Sequence, residues 1–168
     1  MKRRTTCTIG LLYTVVAVAA ACAHPRPKVS AELNRDASPV GNLPANPMHW
    51  KVVSSSIDSN RATMSTLYGN DIAVAYARTH TEHNYPAGSM LSLVTWAQKE
   101  DPRWFGAQIP KRVQSVEFVV ITATPENLPH YEYQQYTGSP LVKLSSEEGS
   151  APNDRAIYVL SQRAAVLP

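Results

Sequence analysis

Residues 85–104 read YPAGSMLSLVTWAQKEDPRW: a turn, a strand and a charged exit. From Ser89 to Trp96, Leu91, Leu93 and Thr95 fall on one face, and Met90, Ser92, Val94 and Trp96 on the other. Apolar residues on both sides of a period of two predict a strand covered on both faces. That pattern puts a buried sheet at the centre of the fold. It also raises the question of what one face covers: ordinary core, or a bound group.

Outward from this strand the chain alternates short extended runs with few helix signals. Trp50 to Ser54 and Thr63 to Tyr68 read as strands. Asn70-Asp71 supplies helix-start chemistry before IAVAYARTH, with Ile72, Ala75 and Tyr76 near one face. Tyr85-Pro86-Ala87-Gly88 breaks that helix, and Asp101-Pro102 closes the central strand. VQSVEFVVIT, residues 113–122, is the strongest β-run, rich in branched side chains. Thr124-Pro-Glu-Asn127 predicts a short helix that soon meets Pro129, and RAIYVLS, residues 155–161, a late strand. Hairpin-like succession with few helices predicts an antiparallel β-sheet with helices packed on it, an α+β domain.

The N-terminus carries targeting chemistry. Met1-Lys-Arg-Arg4 precedes a small, apolar run from Thr8 to Ala21, which predicts a secretory signal peptide over 1–21. The run falls short of the roughly 20 residues that span a bilayer. VAVAAAC resembles a lipoprotein signal that would leave Cys22 as a lipid-bearing first residue; ordinary cleavage after Ala21 is the alternative. The Arg3-Arg4 pair reads as a plain positive leader, not a twin-arginine signal. Pro25, Pro27, Pro39, Pro44 and Pro47 punctuate residues 22–47, which read as a tether or an arm across the domain; the domain itself spans 48–168. The expected destination is the periplasm, on an outer-membrane anchor if Cys22 is lipidated.

The only cysteines are Cys7 and Cys22. A processed chain therefore has no disulfide, no thiolate metal site and no cysteine nucleophile within its domain. The 16 basic residues exceed the 13 acidic ones, but Lys2, Arg3 and Arg4 lie in the leader. The domain is thus near neutral, and nucleic acid is not an expected partner.

Candidate chemistry is sparse. His80-Thr-Glu-His83 has a two-histidine metal spacing, but it sits where a helix end favours a solvated histidine, and no metal site is expected. Glu117, inside VEFVVI, is either a buried general acid/base or a charge on the solvent side of an alternating strand; the second is the expectation. Asp58, Asp71 and Asp154 fall in turns and caps, and Ser54-Ser55-Ser56 lacks a nucleophile elbow. Tyr131, Tyr133 and Tyr136 can stack on a planar ligand or fill a core. No catalytic residue is assigned.

HWKVV, TLYGNDIAVAYAR, YPAGSMLSLVTWAQKEDPRW, VEFVV and the ending IYVLSQRAAVLP, in that order, resemble the cytochrome P-460 family. That group contains hydroxylamine-oxidising haem proteins and the β-sheet cytochromes c′. The resemblance covers about residues 49–168. It implies a cytochrome c′-beta-like α+β fold, a homodimer, and haem held through C-x-x-C-H shortly before the last strand. At the corresponding place this chain reads Ser146-Glu-Glu-Gly-Ser150. A haem-cross-linking lysine of the P-460 enzymes would stand near Leu93.

Both covalent handles are therefore replaced. By resemblance, the face with Leu91, Leu93 and Thr95 looks toward the haem position, and Tyr68, Phe118, Tyr131 and Tyr133 join it as pocket-lining candidates. The resulting expectation is an exported P-460-like envelope module that binds a small ligand or serves structurally, with no cofactor; enzymatic activity is left open, and would be that of an oxidoreductase. The alternative is a redox protein holding haem non-covalently, with His130 as its ligand on a pocket-side segment. Membrane contact is expected through an N-terminal lipid only; the ligand is unspecified.

Overall fold

The structure, a computed structural model, describes residues 34–125, 129–145 and 152–165. Six strands pair antiparallel in chain order: β1 (Lys51–Asp58), β2 (Thr63–Gly69), β3 (Met90–Glu100), β4 (Gln108–Ala123), β5 (Pro129–Thr137) and β6 (Val142–Lys143). Helix α1 (Asp71–Thr79) follows β2, and α2 (Pro152–Leu160) follows β6. The α+β expectation holds, with an antiparallel sheet carrying two helices.

Local chemistry explains the turns. The Asp58 carboxylate accepts the Asn60 and Arg61 N–H groups and closes the β1–β2 hairpin. Asn70 Oδ1 accepts the Ala73 N–H at 3.0 Å and caps α1. The same side chain ties the helix start to β3: its amide donates to the Gly88 carbonyl at 2.8 Å, and its oxygen also accepts the Met90 N–H.

Strand β3 lies between β2 and β4 and is covered on both faces, as its sequence predicts. One face holds Leu91 and Leu93 in a core with Val53, Leu67, Val119 and Ile121, closed by α1 and α2. The other holds Val94 and Trp96 with Val116, Phe118, Tyr136 and Leu141. This second core is closed by the segment 34–50. The Trp96 indole N–H donates to the Ala37 carbonyl at 2.8 Å, and the Leu141 N–H donates to the Val40 carbonyl at 2.8 Å.

Two expectations are corrected. Residues 155–161 form most of α2 instead of a strand: Ala156, Val159 and Leu160, at i, i+3 and i+4, are the buried positions. The short helix expected between Thr124 and Pro129 falls on residues of which 126–128 lie outside the described ones; strand β5 begins after it, at Pro129. The buried side of α1 is Ala73 and Val74, whereas Ile72 and Ala75 face solvent.

Candidate functional site

Among the described residues, the densest polar chemistry inside the fold is at Glu117. Residues 117, 119 and 121 share one side of β4, and Val119 and Ile121 belong to the helix-covered core. Glu117 is accordingly 1% exposed, opposite Leu93 in the register. This overturns the solvent-side reading. The signal was in the sequence: both faces of VEFVVI are apolar, so neither could present a charge to water.

The carboxylate is fully partnered. Arg155, from the first turns of α2, donates through Nη2 at 2.6 Å and Nε at 3.0 Å, a two-point clamp. The Tyr133 hydroxyl donates to Oε2 at 2.7 Å from β5. The Arg155 guanidinium also lies over the Tyr158 ring at 4.8 Å. Hydrogen bonding to Glu117 holds the guanidinium pKa above its ordinary value. Burial, and then the hydrogen bond to Glu117, push the Tyr133 hydroxyl well above the ordinary tyrosine value. Three donor bonds, from α2 and β5, hold this carboxylate. Its geometry is that of a clasp between α2 and the sheet.

The pocket-lining candidates separate onto different faces. Leu91, Leu93, Tyr131 and Tyr133 lie on the helix-covered side. Thr95 follows on that face but beyond the apolar patch, its hydroxyl 2.9 Å from that of Ser65. Phe118 and Tyr68 belong to the opposite core, where Phe118 makes edge-to-face contacts with Trp50 and Tyr136. His130, whose partner is Thr122, is also on the opposite face and exposed. It is not on the pocket side, because β5 alternates and Tyr131 and Tyr133 take that side.

Two clefts open elsewhere. One, of ≈ 530 Å³, lies between the end of α1 and residues 162–165. Ala77, Tyr85 and Ala164 supply apolar wall, and His80, His83 and Arg163 polar wall. His80 stacks on Tyr76 at 4.2 Å, and its Nδ1 lies 2.8 Å from the Thr79 hydroxyl. Among the described residues, no third histidine, cysteine or carboxylate joins His80 and His83 in a metal-ligand group. The second cleft, ≈ 490 Å³, runs under the N-terminal segment beside Met48, Met64, Tyr68 and Trp96.

The sheet order, the Asn70-capped helix and the Y-P-x-G turn into a doubly covered β3 stand together with a direct match. The family pattern of cytochrome P460 fits residues 44–155. The chain belongs to the cytochrome P460 family. No curated protein matches it.

The residues of this member do not fit a covalently attached haem. Its cysteines are Cys7 and Cys22, so C-x-x-C-H is absent from the sequence, and residues 146–150 lie outside the described ones. The β3 face that resemblance turns toward the haem is closed by packing. Leu91 is 0% and Leu93 5% exposed, with α1 and α2 residues in the same core.

Proposed function

We propose that this chain is an exported, haem-less cytochrome P460 family protein that serves the cell envelope as a small-ligand-binding or structural module. The burial of Leu91 and Leu93 carries this reading, because packed leucines occupy the strand face that would otherwise view a haem. The Glu117–Arg155 clasp supports it from the other side. It fastens α2 to the sheet by hydrogen bonds, where the family fastens this part of the chain through a haem. Ligand binding is then assigned to the cleft at the end of α1, whose apolar wall and polar rim, with the guanidiniums of Arg78 and Arg163 against the single carboxylate of Glu82, suit a small anion with an apolar body.

Expression alongside cytochrome c maturation machinery tests the first part. The expected product is colourless, with no Soret band and no iron retained through denaturation. A Soret band that survives denaturation would overturn the haem-less reading, and one lost on denaturation would transfer it to a non-covalent haem protein. For the cleft, titration with benzoate followed by amide chemical shifts should perturb residues 77–85 and 162–165, and Arg163→Ala should weaken binding. Lipidation at Cys22 predicts that Cys22→Ser lacks the lipid's mass and holds to membranes more weakly.

A further inference from the structure

The β3–β4 hairpin extends past the rest of the sheet. Pairing of β3 with β2 stops at Ala97, and pairing of β4 with β5 stops at Ser115. Just beyond that point Gln98 still bonds Ala62 and Thr63, and Asn34 bonds the Pro110 carbonyl; past them Lys99 pairs with Ile109 and Glu100 with Gln108. At the tip, Trp104 is 71% exposed and Phe105 fully so.

These aromatics are held outward by their turn. The Asp101 N–H donates to the Ala107 carbonyl at 2.9 Å, and the Ala107 N–H to the Trp104 carbonyl at 3.0 Å. The Asp101 carboxylate accepts the Arg103 N–H at 2.8 Å. Gly106, at φ +79°, takes the left-handed corner that a side chain would resist. Trp104 and Phe105 occupy the preceding corner positions and have no core to fold back upon. Of the exposed cations nearby, Arg103 is in the turn itself, while Lys111 and Arg112 stand further up β4, where they line a groove with Arg35 and Asp36; none of the three forms an ion pair among the described residues. The carboxylates close by are the exposed Glu100, Asp101, which is bonded to the Arg103 N–H, and Asp36, which lines the groove of Lys111 and Arg112.

We infer that this tip is a membrane-docking wedge: Trp104 and Phe105 enter the interface of an anionic phospholipid bilayer, and Arg103, Lys111 and Arg112 hold its headgroups. Indole rings are favoured at the headgroup level, where one edge is wet and the other apolar. Neighbouring cations add attraction that depends on lipid charge. The geometry favours a bilayer over a protein partner. Two aromatic side chains offer about 150–250 Å² each, whereas a stable protein interface uses about 800 Å² per partner. A bilayer accepts a narrow wedge. This contact is separate from any lipid on Cys22, and it orients the sheet's long axis toward the surface.

The test uses the full chain carrying Cys22→Ser, mixed with vesicles of brominated phosphatidylglycerol or brominated phosphatidylcholine. Bromine quenches only indoles within the bilayer, so the readout is local to the tip. The expected result is blue-shifted, quenched emission on the anionic vesicles, absent in W104F. R103E/K111E/R112E should partition at least about tenfold more weakly, and added salt should do the same. Circular dichroism confirms that each variant is folded. Unquenched Trp104 on anionic vesicles overturns the proposal. So does equal quenching on both lipids or in the charge-reversed variant. A lipid-independent blue shift that grows with protein concentration also overturns it, and assigns the tip to a second copy of the chain.

Discussion

Glu117 and Arg155 form one clasp, but removing either end has a different cost. Arg155→Met leaves a carboxylate in the core opposite Leu93, and breaking a buried pair in that way costs about 3–5 kcal/mol. Glu117→Gln costs less, because the Arg155 side chain is 31% exposed and its guanidinium can turn to water. Urea unfolding of the two variants should show that order, and an R155M protein as stable as wild type would mean that water reaches Glu117. Tyr133 gives the cluster a pH signature. Its folded pKa lies above the ordinary 10.0, so its contribution to stability is complete below pH 10 and is lost as pH rises beyond it. Above pH 10 the unfolded chain releases protons that the folded one retains, which draws the equilibrium toward unfolding. Burial pushes Tyr68, Tyr85 and Tyr136 the same way, so the decline is shared. Stability measured from pH 8 to 11.5 should be flat and then fall, and Tyr133→Phe should fall less steeply. An unchanged alkaline slope in that variant would count against the buried hydroxyl.

At the scale of elements, β3 sets the fold and also tests the closed haem face. Leu93 sits between Leu67 on β2 and Glu117 on β4, with helix residues in the same core. Leu93→Ala should cost about 2–5 kcal/mol, from lost transfer energy and the cavity left behind. Leu93→Lys should cost more, because an ammonium would enter that core beside a carboxylate already clamped by Arg155. Urea unfolding again decides: if Leu93→Lys matches wild type, the face opens to water and the closed-face argument fails. The same strand shows why parts of this fold were legible. Leu91 to Trp96 is apolar on both faces, and only a strand inside a three-layer arrangement satisfies that pattern. Asn70 was legible as a cap because a side-chain acceptor must meet the first free N–H groups of a helix. Helix α2 was misread because Ile157-Tyr158-Val159 favours a strand residue by residue, although only Val159 of the three is buried. The i, i+3, i+4 spacing of Ala156, Val159 and Leu160 carried the true signal. Strand β5 was hidden by its glutamines and glutamate, which occupy the half-exposed end of the sheet. The Glu117 clasp was invisible in the linear sequence, since its donors come from β5 and α2, positions 133 and 155.

Across the whole molecule, the two sides of the sheet are closed by means of unequal strength. Helices, an apolar core and a buried ion pair close one; a segment with only short helical turns closes the other. Local opening follows the weaker element, where few contacts must break together. Residues 34–50 should therefore lift from the sheet more readily than α1 or α2. Gly41 is the point at which this can be tested. It bridges to Leu141 in parallel register, and a Cβ added there would meet the Leu141 carbonyl and lie 2.7 Å from the Leu141 Cβ. Neither backbone can yield without disturbing the Leu141 N–H bond to Val40, so Gly41→Ala should displace the segment at a cost of about 1–3 kcal/mol. The indole N–H of Trp96 reports the event, because Ala37 accepts it from the same segment. In Gly41→Ala that proton should exchange with solvent at least about fivefold faster, matching about 1 kcal/mol or more of lost protection. Amides of Leu91, Leu93 and Val119, under the helices, should keep their exchange rates relative to global stability. Uniform acceleration at every site would mean that the segment and the sheet open as one unit, and unchanged exchange at Trp96 would mean that Gly41 is not what holds the segment down.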